Sequence, residues 1–599
     1  MACDRLADDA RKKRKASCAF TTGDEQQKLK QPKLDLSSIP LTQNMADQYI
    51  VDYVIDSILP MHMVDTPPFK LLVQRLTGGR VVPRCRQTVT KQLEERFVQR
   101  TSDLKTKLRE LQVVCTTADC WSSRHRSFLG ITVHWIEPDT LDRKGACLAV
   151  RQLTGSHTYA VLAQKMESIN DEFGLQNKIC YTVTDSGSNF IKAFRHFSME
   201  EAEETPSELT DANGEGPDSD EIEYMAIEPI LQQTDHFTGN EVEDSPVYRL
   251  PRHWRCACHA LNLVATADVA KLESGPFKRA SVQTFAKLTA VWNKQNRSTL
   301  AADTIRAQLG TLLVTPGDTR WNSVYDAVSK VYKILSVPEE EAKFDKICDD
   351  LKITRLLPVQ KTFINEYVRA MKPIACGLDI LQSEKSIGLG YLLPTLAVIT
   401  GQLDEMLEDS AHAPTLVEPL VRGLKAGITR RFGEMISSTD AQLAAVVTPQ
   451  FKFYWIEDEA QKARLLGTLK ARVRAISNDV HKPDSTAATA ASVAQSIQSG
   501  DESGNFFASI CARRQRQDAD KNDVDEEVNK YMSDTSSELS SLSAYPNVKK
   551  LYLKLNTGLP ASAAVERLFS VGGRIFSPLR AKMSSEHFEM LAFLRLARW

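Results

Sequence analysis

Apolar residues recur at helical spacing from Leu41 to Leu59, and Pro60 stops the run. The stretch Met63-Val-Asp-Thr-Pro-Pro-Phe69 reads as a Pro-broken turn before a short apolar helix, Phe69 to Leu76. Thr88 to Arg109 predicts a long, highly charged helix with i,i+4 charge pairs. The texture then changes. Leu111–Thr117, Ser127–Ile136 and Leu148–Leu153 are short runs rich in Val, Ile, Thr and aromatics, separated by polar turns. They predict three consecutive antiparallel strands. Thr158 to Phe173 reads as helix, Ile179–Thr184 as a buried strand and Asn189 to Phe197 as helix. Strands followed by helix-strand-helix alternation imply a mixed sheet with helices on its faces.

Beyond that sheet the pattern is helical almost throughout, from about 257 to 475 and again from about 521 to 599, with turns at Ala544-Tyr-Pro546 and Thr557-Gly-Leu-Pro560. Three segments stand apart as expected disorder. Residues 1–40 are charged and poor in aromatics. Residues 198–248 are acidic, with Glu200-Glu-Ala-Glu-Glu204 and Asp218-Ser-Asp-Glu-Ile-Glu223. Residues 481–520 are rich in Ser, Ala, Gln and Asp. None of the three offers enough apolar area to offset the entropy of ordering.

With 599 residues the chain exceeds one ordinary core, so several domains are expected. Its net charge of -2 means that any nucleic-acid binding relies on local basic patches. One such patch is Arg11, Lys12, Lys13, Arg14 and Lys15, which reads as a nuclear-import signal or a phosphate-contacting cluster, or else as a solvated charge run. The 12 cysteines form no Cys-x-x-Cys pair, which fits reduced thiols better than a disulfide framework. No apolar run is long enough to span a bilayer, and no signal peptide is expected.

The candidate chemistry lies in three carboxylates. Asp119 ends the apolar run from Leu111 and precedes an expected turn, Cys120-Trp-Ser-Ser-Arg124. Asp185 ends the run Ile179-Cys-Tyr-Thr-Val-Thr, and the following Ser186-Gly-Ser-Asn189 can cap a helix. Glu566 sits in Ala561-Ser-Ala-Ala-Val-Glu-Arg-Leu-Phe-Ser570. Two aspartates at strand ends and one helical glutamate could hold two divalent ions for phosphodiester cleavage. By residue type alone, an aspartate at a strand end is more often a cap or a turn residue.

Six motifs point further. They are Cys115-Thr-Thr-Ala-Asp-Cys-Trp-Ser-Ser123, Thr182-Val-Thr-Asp-Ser-Gly-Ser-Asn189, Arg255-Cys-Ala-Cys-His-Ala-Leu-Asn-Leu263, Thr319-Arg-Trp-Asn-Ser323, Glu384-Lys-Ser-Ile-Gly-Leu-Gly-Tyr-Leu-Leu-Pro394 and Pro560 to Ser570 with Arg574 to Arg580 beyond. In this order, and over residues from about 45 onward, the chain resembles the hAT superfamily of transposases. It is most similar to the branch that carries BED-type zinc fingers and includes domesticated host proteins.

The resemblance implies an RNase H-like mixed sheet interrupted by a large helical insertion domain, hence an α/β plus all-α chain. The parts would be a basic leader (1–40), a helical N-terminal region (41–110), the first sheet part (111–197), an acidic insert (198–248), a sheet continuation (249–265), the insertion domain (266–480), a linker (481–520) and a C-terminal helix with a dimerisation region (521–599). Asp119, Asp185 and Glu566 match the family's metal-binding acidic triad, which takes magnesium or manganese. Trp321 matches a base-stacking tryptophan, with Arg320 a phosphate contact. Cys256 and His259 match a Cys-x-x-His pair beside the site. We expect His259 to contact DNA, with Cys256 buried, and no zinc, since no second ligand pair sits nearby. Phe569, Val571, Ile575, Phe576, Phe588, Leu591 and Leu594 match the dimerisation surface, or the packing of the last helix on its own core.

One departure stands out. Residues 1–45 hold only Cys3 and Cys18, without the spacing of a BED finger. The implied function is therefore that of a nuclear, DNA-binding, homodimeric protein, domesticated as a chromatin or transcription regulator. The alternative is an active cut-and-paste transposase. A third reading places the finger upstream of the sequence in hand.

Overall fold

The computed structural model describes residues 41–123, 126–155, 158–185, 187–197, 248–317, 321–383, 387–409, 413–480, 523–576 and 583–596. The basic cluster Arg11 to Lys15, the acidic insert, the linker over 481–520 and Arg320 lie outside the described residues, as do the side chain of Trp321 and the residues 577–582.

The chain divides into two compact units. The smaller comprises residues up to Asp52 together with His62–Arg86; the larger comprises Tyr53–Met61 and the chain from Gln87 onward. In the smaller unit, Gln43 pairs with Val82 through both its amide groups, and Arg84 meets the buried carboxylate of Asp47 at 3.1 Å. Helix α1 (Gln43–Asp56) begins in this unit, and α2 (Pro67–Leu76) starts on two prolines, whose fixed φ suits a first turn.

The larger unit is built around one five-stranded mixed sheet. The long helix α3 (Arg86–Glu110) leads into β1 (Val114–Ser123), β2 (Arg126–Ile136) and β3 (Arg143–Leu153), which pair antiparallel. Helix α4 (Tyr159–Glu172), capped by the Thr158 hydroxyl, crosses to β4 (Ile179–Thr184), which runs parallel to β1. Helix α5 (Ser188–Phe197) follows. A short β5 (His253–Arg255) then adds to β4 in parallel, giving the order β3-β2-β1-β4-β5. Central strands of such a sheet are covered on both faces, and β1 and β2 are accordingly buried over most of their length.

Two expectations need correction here. Asp119 does not end its strand, and Cys120 to Ser123 is not a turn. β1 continues to Ser123, with Asp119 opposite Gly130 and Trp121 opposite Phe128. The polar letters disguised it: Ser122 and Ser127 satisfy each other across the strands at 2.8 Å, while Trp121 packs inward. The fifth strand was not expected, because three residues are too few for a period to show.

Helix α6 (Ala257–Leu263) runs on through a π-turn and opens the helical part: α7 (Gly275–Arg297), α8 (Thr299–Leu309), α9 (Trp321–Leu335), α10 (Pro338–Asp350), α11 (Pro358–Leu381), α12 (Leu392–Glu408), α13 (Glu418–Ser437), α14 (Thr439–Val446) and α15 (Glu459–Val480). The central α11 is buried along most of its length. Its Glu366 carboxylate accepts from Thr415 N, Leu416 N, Val417 N and the Thr415 hydroxyl, capping the start of α13. The chain returns through α16 (residues 523–533), α17 (Pro546–Asn556), α18 (Ala563–Ile575) and α19 (Ser585–Leu596). One continuous core runs from the sheet residues Cys115, Tyr181 and Val183 into the helical part.

Candidate active site

The sheet ends and α18 bring the three carboxylates together. Asp185 follows the last residue of β4, the parallel neighbour of β1. Glu566 stands in the first turn of α18, which packs on β1 and β2. Burial, followed by the nearby Asp185 carboxylate, holds the Asp119 carboxyl well above the usual carboxylate range; Glu566 and Cys256 push the same way. The Cys120 thiol is raised for the same reasons, by burial and then by Asp119 and Asp185. Asp119 therefore lies near two acidic groups, Asp185 and Glu566, that are 66 and 447 residues further along the chain. The strongest influences on Asp119 include no basic side chain.

Local bonds orient these groups. One oxygen of Asp119 accepts the Cys120 N–H at 2.7 Å. One oxygen of Asp185 accepts the Gly187 N–H at 3.0 Å. Each aspartate thus has one oxygen fixed by its own loop or strand. Asp119, Asp185 and Glu566 are all half-buried.

The glutamate's approach depends on small residues. The run Ala561-Ser-Ala-Ala-Val565 is buried throughout, so the start of α18 lies close against α6. Opposite Asp119, Gly130 leaves room for Phe569, one turn beyond Glu566. Trp121 stacks on Phe569 with ring centres 5.8 Å apart, and Phe588 closes the other side at 6.0 Å.

Cys256 is fully buried at the start of α6. Its sulfur accepts the backbone N–H groups of Ser562 at 3.3 Å and His259 at 3.4 Å. A bond from the Cys258 thiol, opposed by burial and helped by Ser562 and His259, lowers the Cys256 thiol to about 6. Cys256 is thus buried, as expected, and has no surface of its own to offer DNA. His259, one turn on, is half-buried. Trp321 begins α9, with its neighbour Asn322 donating to Asp379 at 3.2 Å.

Of the residues expected at a dimer surface, Phe569, Ile575, Phe576, Phe588, Leu591 and Leu594 are buried within the chain itself. Val571 is half-buried. Phe576 and Phe588 pack on Phe128 of β2.

The donor set is the kind a hard divalent cation uses, all carboxylate oxygen. Among the described residues, however, no group of three or more His, Cys, Asp or Glu stands close enough to hold one metal ion. The carboxylates are neighbours with the right chemistry, not a closed ligand shell.

No protein-family model matches the chain. Among curated proteins, a Zea mays protein carrying the name AC transposase is 21% identical over 545 residues, covering 85% of this chain and 60% of its own length. A second Zea mays protein, named for AC9 transposase, is 24% identical over 245 residues, covering 40% of this chain and 24% of its own. A Talaromyces stipitatus protein named as transcriptional regulator tpeD is 28% identical over 143 residues, covering 23% of this chain and 17% of its own. The matched part thus spans less than two thirds of each relative. Among the described residues, no helix is long and apolar enough to cross a membrane.

Proposed function

We propose that this chain, which is similar to hAT-type transposases, is a nuclear DNA-binding protein of transposase descent whose acidic site takes divalent cations. The observation that carries this reading is the placement of Asp119 on β1, Asp185 just past the end of its parallel neighbour β4, and Glu566 in the first turn of a helix packed on β1 and β2. The strand order, with two aspartates on neighbouring strands and a glutamate on a covering helix, supports an RNase H-like fold.

In this reading Asp119, Asp185 and Glu566 are the residues that would hold magnesium or manganese, as two ions shared among them and not one ion held by all three. A bound divalent ion neutralises the carboxylates and polarises a phosphodiester for displacement. The chain's own part is to orient. Cys120 N–H and Gly187 N–H fix one oxygen of each aspartate, and the aromatic seat of Trp121 and Phe588 holds α18 on the sheet. His259 and Trp321 are the proposed nucleic-acid contacts, Trp321 by stacking on an unpaired base. The basic run Arg11 to Lys15 supplies nuclear import. A homodimer belongs to the same proposal. Because the apolar C-terminal side chains are already buried within one chain, it would form through the outer face of that segment or by exchanging it.

A second reading, cut-and-paste cleavage and strand transfer, is favoured by the same three carboxylates. Gel-shift binding to duplex DNA, with nicking of supercoiled plasmid in manganese, separates the two. DNA binding without nicking supports a domesticated regulator. Nicking that Glu566→Gln abolishes supports a nuclease. Absence of DNA binding would overturn both.

A further inference from the structure

The junction between β5 and α6 holds two consecutive residues that tie the aspartate-bearing sheet to the glutamate-bearing helix. The Cys256 N–H donates to the Thr184 carbonyl at 2.8 Å, one residue before Asp185. The Cys256 sulfur accepts the Ser562 N–H at 3.3 Å, four residues before Glu566. The Ala257 N–H donates to the Pro560 carbonyl at 2.9 Å. The same sulfur accepts the His259 N–H at 3.4 Å, so it is held from its own helix as well. Cys256, Ala257 and Ser562 are buried, and His259 is half-buried.

We propose that Cys256 is a positioning residue that sets Glu566 against Asp185 by holding the start of α18 to the end of β4. The inference rests on the functional reading above and names a part of it. Sequence separates Cys256 from Ser562 by a whole helical region, so no local element fixes their distance. Buried N–H groups need acceptors, and here one sulfur serves two of them. An apolar side chain would leave the buried Ser562 N–H without this partner. The sulfur touches no substrate in this account. Its effect on the site passes through the backbone of residues 560–566.

The test is hydrogen–deuterium exchange and manganese-induced thermal shift on the full chain, comparing wild type with Cys256→Ala, Cys256→Ser and Cys147→Ala. Cys147 is an equally buried cysteine on β3, and its substitution measures generic loss of packing. We expect Cys256→Ala to speed exchange over residues 560–566 and to weaken the manganese response about tenfold, the scale of one lost hydrogen bond. Cys256→Ser keeps an acceptor and should restore both readings; Cys147→Ala should alter neither. In a Glu566→Gln background, Cys256→Ala should weaken the manganese response no further.

Unchanged exchange over 560–566 in Cys256→Ala overturns the proposal. So does faster exchange with an unchanged manganese response, since the sulfur would then be merely structural. If wild type shows no manganese response at all, the functional reading fails, and the tie to α18 stands or falls on the exchange result alone. Should Cys256→Ala not fold, Ser562→Pro removes the donor and leaves the sulfur, and it is read the same way.

Discussion

A methyl group on Gly130 would lie 2.7 Å from the Phe569 ring and 3.0 Å from Leu568, so the absence of a side chain on β2 is what lets the glutamate's helix close on the sheet. Gly130 is also the cross-strand partner of Asp119. The position that faces one carboxylate therefore sets the height of another. Gly130→Ala forces the ring or the helix to shift, and overpacking of this kind costs about 1–3 kcal/mol. We expect that loss in urea unfolding, together with a weaker response to manganese. A stability loss with an unchanged manganese response would detach Glu566 from this contact.

Asp119 sets the pH behaviour. Its folded pKa lies above the unfolded value, so its contribution favours folding below the unfolded value and is lost as pH rises through the folded one. At neutral pH, without divalent ions, this raised carboxyl costs the fold stability. Asp119→Asn should raise the melting temperature at pH 7 and leave it nearly unchanged at pH 3. Melting curves across this range in chelator decide the matter; an Asn variant less stable at pH 7 would contradict the account.

Gly558 and Tyr181 form a second close approach, on the far side of β4. The Tyr181 hydroxyl fills the space a side chain at 558 would need. That hydroxyl is buried with no hydrogen-bond partner among the described residues. Tyr181→Phe should therefore be neutral or mildly stabilising, and Gly558→Ala strongly destabilising. The double variant should recover part of the loss, because removing the oxygen opens the space. Thermal denaturation of the three variants measures the coupling.

Glu366 tests the helical part independently of the site. Its carboxylate accepts four hydrogen bonds at residues 415–417. Glu366→Ala strands those donors and should cost about 1–3 kcal/mol. The manganese response should be unaffected, since Glu366 is no part of the acidic site.

Much of this was legible in the chain. The three antiparallel strands, the parallel β4 with Asp185 just past its end and the long helical stretch follow from periods of 2 and 3.6. The end of β1 was not legible, because Asp119, Ser122 and Ser123 read as turn residues. Their polar atoms are satisfied by the neighbouring strand and by the site, which no local pattern reveals. β5 was too short to announce itself. The meeting of Glu566 with the aspartates came only from motif resemblance, since nothing local to residues 561–570 names a partner on β1. The role of the Cys256 sulfur was hidden for a different reason. Its partner is a backbone N–H, which every residue but proline carries, so the side chain at 562 leaves no trace of it.

The most direct measurement is a calorimetric titration of manganese into wild type, Asp119→Asn and Glu566→Gln. The account predicts saturable binding by wild type that is lost or much weakened in both variants, although the two substitutions lie on a strand and on a distant helix. No binding by wild type, or equal binding by all three proteins, would contradict the claim that these carboxylates take divalent cations.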